Sequence, residues 1–175
     1  PTASGHNVYI AYNVGTTLYI VASRNTSGAF TFGSAVEVTS GTRTPSSAVG
    51  AVSLDGTLYV AYRGSLGLNG YWVTCARSDD EAASFSLPVE IAYTEPFSIP
   101  SSSRGLQADV SIAVDNCNAS STVGRVYVAY AAANYTADCD IAVCQSSNKG
   151  TTWSLPSVVH KTSDNSQFHP AIDVD

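Results

Sequence analysis

"TLYVAYR", residues 57–63, decides the fold, because it returns as "NVYIAYN" at 7–13 and as "RVYVAYA" at 125–131. In each copy apolar residues alternate with small or polar ones, the period-two pattern of a half-buried strand. A second strand-like run follows each copy: "TLYIVAS" (17–23), "YWVTCARS" (71–78) and "CDIAVCQS" (139–146). After a polar turn comes a third run: "SAVEV" (34–38), "LPVEI" (87–91) and "LPSVV" (155–159). A short run ending in aspartate precedes two of the copies, "AVSLD" (51–55) and "SIAVD" (111–115), and another, "PAIDVD" (170–175), closes the chain. The aspartates at 55, 115 and 175 are 60 residues apart each time.

Such spacing reads as a repeated unit of four short antiparallel strands, A to D, in the order BCD-ABCD-ABCD-A. One such sheet cannot bury both faces alone, so the copies must stack side by side. The architecture that does this with four-stranded sheets is the β-propeller. The expected units are 1–40 (a first blade without its inner strand A), 41–98, 99–162, and 163–175 as the inner strand of a further blade. Three blades fall short of the 4 to 8 of closed propellers. The ends are complementary, so either the chain belongs to a longer propeller or its strand 170–175 completes the first blade of another copy.

Composition narrows the functional classes. Of 175 residues 44% are hydrophobic and 13% charged, which suits one globular domain with a real core. The net charge is −6 and the eight Lys and Arg form no run, so nucleic acid is not an expected partner. Apolar stretches are strand-sized, far below the roughly 18 residues of a membrane helix, so no membrane insertion is expected. Four cysteines without a C-x-x-C pair, and three histidines, give no zinc pattern, and no cofactor is expected. Asn25, Asn118 and Asn134 each begin an N-x-S/T triplet. Together with the cysteines they favour an oxidising, extracytoplasmic site, a secreted or cell-surface protein. The opening Pro1-Thr2-Ala3-Ser4 has the look of a mature terminus rather than a signal peptide.

The C-to-D turns share one form: Ser23 and Asn25 leading to Phe30, Ser78 and Asp80 leading to Phe85, and Ser146, Asn148 and Gly150 leading to Trp153. This resembles the S-x-D-x-G-x-x-W Asp-box (BNR repeat) of sialidases and their non-catalytic relatives, and the resemblance covers essentially the whole chain. Asn stands for Asp in two copies, and Ser27 and Ala82 stand for the glycine in two. Physically, a short Asp or Asn side chain folds back on the N–H groups of its own turn, glycine supplies positive φ, and the aromatic ring is expected to plug the sheet beneath. The resemblance implies that these turns lie on the face opposite the substrate site.

That leaves the B-to-C and D-to-A end as the functional face. Arg43, Arg63, Arg104 and Lys161 fall there, and three arginines on one rim can grip a carboxylate bidentately. A sialidase site, as the resemblance implies, also needs a tyrosine activated by a glutamate, an aspartate acid/base and an arginine in an F/Y-R-I-P element. This chain has "PFSIP" at 96–100, with Ser98 at the arginine position. Tyr93 with Glu95, Tyr71 and Asp138 lie on the appropriate side. Tyr9, Tyr12, Tyr59, Tyr62, Tyr127 and Tyr130 recur in strand B as core residues, whereas Tyr71, Trp72 and Tyr135 are available for sugar stacking. His169 marks the start of a strand and lacks partners for a metal. Cys117 and Cys144 lie at one end of one blade and are the first-choice disulfide of three connectivities, with Cys75 and Cys139 left without an evident mate. The reading is therefore a non-catalytic propeller segment for glycan or protein recognition, or for assembly. The alternatives are an exo-sialidase acting on terminal sialic acids and a scaffolding repeat in a filament or surface layer.

Overall fold

A computed structural model describes residues 6–24, 29–39, 43–65, 70–95, 109–133, 139–159 and 166–175. Eleven strands follow in order: β1 Val8–Val14, β2 Thr17–Ser23, β3 Val36–Glu37, β4 Thr44–Val52, β5 Leu58–Ser65, β6 Tyr71–Ser78, β7 Val89–Thr94, β8 Val110–Val114, β9 Val126–Ala133, β10 Cys139–Ser146 and β11 Ser157–Val158. They form three antiparallel meanders, β1-β2-β3, β4-β5-β6-β7 and β8-β9-β10-β11, here called sheets 1 to 3. The architecture is all-β, an open array of propeller-type sheets. Among the described residues, no inner strand lies beside β1 in sheet 1. Among the described residues, 170–175 pair with no strand.

Period-two alternation gives each strand two faces, and sheet 2 uses both. Leu58, Val60, Tyr62 and Ala76 join Leu18, Ile20, Ala22 and Val38 of sheet 1 in one core. On the other face Tyr59, Ala61, Val73 and Cys75 join Val110, Ile112, Val126, Val128, Tyr130 and Cys144 of sheet 3. Each fully buried side chain of this size contributes about 1.5–3 kcal/mol. Polar staples add to these interfaces. Asn13 Nδ2 donates to Pro45 O (2.6 Å), Asn116 Nδ2 to Val52 O (3.0 Å), and Ala133 N to Thr94 Oγ1 (2.8 Å).

At the C-to-D end two turns match bond for bond. Ser78 Oγ accepts from Ala82 N (2.8 Å) and donates to Asp80 Oδ1 (2.7 Å), which accepts from Ser84 N (2.9 Å). Ser146 Oγ accepts from Gly150 N (2.9 Å) and donates to Asn148 Oδ1 (2.9 Å), which accepts from Thr152 N (2.9 Å). The fourth and fifth residues are left-handed in both: Glu81 and Ala82 (φ 57° and 62°), Lys149 and Gly150 (φ 56° and 74°). Arginines clasp these turns to the blade before: Arg24 Nη2 donates to Glu81 O (2.7 Å), and Arg77 Nη1 to Lys149 O (2.8 Å). Arg24 and Arg77, together with Lys149 through its pair with Asp55, are thus spent between blades.

Three expectations need correction. The first turn is two residues longer than its sisters, closing with Gly33 N on Ala22 O where they close with Ser86 N on Arg77 O and Ser154 N on Gln145 O. Phe32, which bridges Ser23, therefore holds the place of Phe85 and Trp153, whereas Phe30 is 62% exposed and plugs nothing. Asn25 lies outside the described residues. The 60-residue spacing of Asp55 and Asp115 is not the structural register, because Ser53 N bonds Thr57 O just as Asp115 N bonds Arg125 O. Ser53 is the counterpart of Asp115, and unequal A-to-B turns hide this. Finally, no Cys117–Cys144 bridge forms. Cys117 is in the exposed loop after β8, whereas strand alternation turns Cys144 into the core, hydrogen-bonded to Tyr130.

Candidate functional site

The rim expected to carry function is built from the start of β4, the ends of β5 and β7, and the starts of β6 and β8. Antiparallel pairing puts these together: Ser65 lies opposite Tyr71, Gly64 opposite Trp72, and Trp72 opposite Tyr93. Alternation then sends neighbouring side chains to opposite faces of sheet 2.

On the face toward sheet 3, Arg63 is only 5% exposed. Its guanidinium carbon lies 3.9 Å from the Tyr71 ring centroid, and its Nε donates to Ser46 Oγ (3.3 Å). Burial pushes its pKa down, opposed by the nearby Tyr71 and Asp109. A buried guanidinium is tolerated when it is stacked and hydrogen-bonded. Asp109, just ahead of β8, faces the same region. It accepts from Ser47 Oγ (3.2 Å) and lies against His169 Nδ1. Ser47 and His169 are both left-handed non-glycine residues, φ 52° and 57°. Ser47, Asp109 and His169 thus form a polar strip across successive inner-strand positions.

On the face toward sheet 1, Arg43 lies along Gly64, its guanidinium carbon 5.1 Å from the Trp72 ring centroid, and pairs with Glu90. Trp72 and Tyr93 pack with centroids 5.4 Å apart at 57°. Tyr93 is 41% exposed; desolvation, and then the charge of Glu95 to which its hydroxyl bonds, raise its pKa. Gly70 (φ 94°) makes this possible, since an added Cβ would stand 2.4 Å from Tyr93 Oη and 2.8 Å from Thr94 O.

The structure therefore brings Tyr93 to Glu95, and Trp72 to Tyr93, but divides Arg43 from Arg63 by the sheet itself. Arg104, Lys161, Tyr135, Asp138, Asn134 and the 96–100 segment lie outside the described residues. Asn118 is exposed in the loop after β8. The sequence reading missed Asp109. Its signal was a polar residue one place ahead of an inner-strand run, repeated 60 residues on as His169. Among the described residues no group of three or more His, Cys, Asp or Glu side chains is placed to hold a metal.

No protein-family model matches the sequence, and no curated protein matches it. Solved structures do. The NanB sialidase from Streptococcus pneumoniae, in complex with 2-[(3-chlorobenzyl)ammonio]ethanesulfonate, superposes with a TM-score of 0.54 at 17% identity over 91% of this chain and 21% of that one. NanB with Optactamide gives a TM-score of 0.56 at 15% identity over 90% of this chain and 22% of that one. The fold is therefore sialidase-like, and the chain spans about a fifth of the length of these sialidases.

Proposed function

We propose that the chain is a non-catalytic segment of a sialidase-type propeller, acting outside the cytoplasm in glycan or protein recognition. Its blades are 1–40, 41–98 and 99–162, with 163–175 contributing an inner strand, and the turns at Ser23, Ser78 and Ser146 are Asp-box repeats. The Ser-to-backbone bonds shared by the second and third turns support the last point.

One observation carries the non-catalytic reading. A carboxylate grip needs arginines that converge, and here Arg63 is stacked and buried on one face of sheet 2 while Arg43 is ion-paired on the other. What faces solvent is an aromatic pair, Trp72 and Tyr93, beside a neutralised Arg43–Glu90 couple. Such a surface suits the apolar face of a sugar ring better than its charge. Saturation-transfer NMR with neutral and sialylated oligosaccharides tests this: transfer to the glycan is expected, and Tyr93→Ala abolishes it. A fluorogenic sialoside turned over by the protein, with turnover lost in Arg63→Ala, would overturn the proposal.

The exo-sialidase alternative draws on the Tyr93–Glu95 hydrogen bond, since a carboxylate holding a phenol proton is placed to accept it during nucleophilic attack. In that reading Tyr93→Phe removes turnover and leaves glycan binding intact.

A further inference from the structure

We infer that Asn118 carries an N-linked glycan whose first sugar seats in the cleft between the A-to-B turns of sheets 2 and 3. The inference rests on the extracytoplasmic reading above, because Asn-x-Ser/Thr acceptors are modified in exported chains.

Asn118 is singled out by its amide. The side chains of Asn7, Asn13, Asn116 and Asn148 all bond within the protein, to Tyr9 Oη, Pro45 O, Val52 O and Thr152 Oγ1. Among the described asparagines only Asn118 leaves its amide unspent, and it is the one that opens an Asn-Ala-Ser triplet.

The loop that carries it is fixed from two sides. Asn116 Nδ2 on Val52 O (3.0 Å) ties it to sheet 2. Asp115 clamps it from within, accepting from Cys117 N (3.0 Å), Ser120 Oγ (2.6 Å) and Thr122 Oγ1 (2.6 Å). Ser120 N then closes a turn on Cys117 O (2.9 Å), which leaves Asn118 and Ala119 exposed at its two central positions. An amide at such a tip takes a bulky adduct without disturbing the packing beneath. In the transfer, Nδ2 attacks the anomeric carbon of an N-acetylhexosamine carried on a lipid pyrophosphate. The Nδ2–C1 bond forms, the C1–O bond breaks, Nδ2 gives up one proton, and the lipid pyrophosphate departs with the bonding electron pair. Nothing is oxidised or reduced.

Beside Asn118 lies an open cleft of about 170 Å³ whose walls include Leu54, Val123, Asp55, Lys149 and Asn118 itself. It sits between two sheets that pack on each other, away from either end of the array. Leu54 and Val123, from the A-to-B turns of sheets 2 and 3, are 42% and 48% exposed. Asp55 and Lys149 pair in the wall (2.6 Å), each half exposed. A pyranose has the matching two characters, an apolar C–H face for Leu54 and Val123 and hydroxyls for the charged pair. Because Asn118 lines the cleft, a sugar on its Nδ2 begins at the mouth. Lys149 belongs to the Ser146 turn, so the glycan stands at the end of the sheets opposite Trp72 and Tyr93 and leaves that rim open.

The test is peptide mapping by mass spectrometry of the chain as its own cells export it. The peptide containing Asn118 is expected to carry an oligosaccharide that peptide-N-glycosidase removes, leaving aspartate at 118. Asn118→Gln is expected to lose that glycan and run faster on gels. In the glycosylated protein, NOEs are expected from the innermost N-acetyl methyl to the Leu54 and Val123 methyls, and Leu54→Asp keeps the glycan while losing these contacts. An unmodified Asn118 in exported protein would overturn the inference and leave the extracytoplasmic reading standing, whereas a chain retained in the cytosol would overturn both. A glycan on Asn118 without those NOEs would overturn its seating in the cleft.

Discussion

Ser78→Ala is the sharpest probe of the turns that hold the blades. Ser78 and Ala82 are each 1% exposed, so removing the hydroxyl strands a buried Ala82 N–H. An unsatisfied buried donor costs about 1–3 kcal/mol, and the lost bond to the Asp80 carboxylate adds about 1 kcal/mol more. The expected loss is about 2–4 kcal/mol, a large share of the roughly 5–15 kcal/mol of an ordinary domain. Ser146→Ala strands Gly150 N–H in the same way but breaks a bond to a neutral amide, so its loss should be smaller, about 1.5–3 kcal/mol. Urea unfolding followed by far-UV dichroism measures both, with the exposed Ser147→Ala as control at about ±0.5 kcal/mol. If Ser78→Ala and Ser146→Ala behave like Ser147→Ala, the turn hydroxyls are not structural and the reasoning fails.

Asp80→Asn copies what Asn148 already does, with Nδ2 donating to Ser84 as Asn148 Nδ2 donates to Thr152 Oγ1 (2.8 Å), so it should be nearly neutral at pH 7. Hydrogen bonds from Ser84 and Ser78 hold Asp80 at about 2, below its ordinary 3.8, so its contribution is full above about pH 4 and lost as pH falls toward 2. The variant should flatten that acid limb of the stability profile, and an unchanged limb would assign it elsewhere. Gly70→Ala drives a methyl into Tyr93 Oη and Thr94 O at positive φ; a loss of at least about 2 kcal/mol is expected together with a changed Tyr93 environment by NMR, and a silent variant would refute the packing. With Ellman's reagent, Cys117 should react at once. Cys75, pushed up to about 12 by burial, and the buried Cys139 and Cys144 should react only on unfolding; two fast thiols would contradict their placement.

The strand pattern was plain in the sequence because alternation is a local property, and "LYVAY", "VYIAY" and "VYVAY" each carry it whole. What the sequence hid depends on turn length and on distant neighbours. Phe30 matches the motif spacing, but a two-residue excess in its turn passes the structural place to Phe32. The Asp55 and Asp115 alignment fails for the same reason, since Val52 to Leu58 is a shorter turn than Val114 to Val126. Arg63 reads as a rim cation, yet Tyr71 and the neighbouring sheet bury it. Cys144 seems within reach of Cys117 along the chain, but its face of β10 is set by packing against sheet 2.

The central claim is that sheet 2 lies between sheets 1 and 3, one on each face. Methyl NOE spectroscopy tests it directly. The account predicts cross-peaks from Leu58 and Val60 to Leu18 and Ile20, and from Ala61 and Val73 to Val126 and Val128. Cross-peaks joining Leu18 and Ile20 to Val126 and Val128 would instead mean that sheets 1 and 3 face each other in a sandwich, and would contradict it.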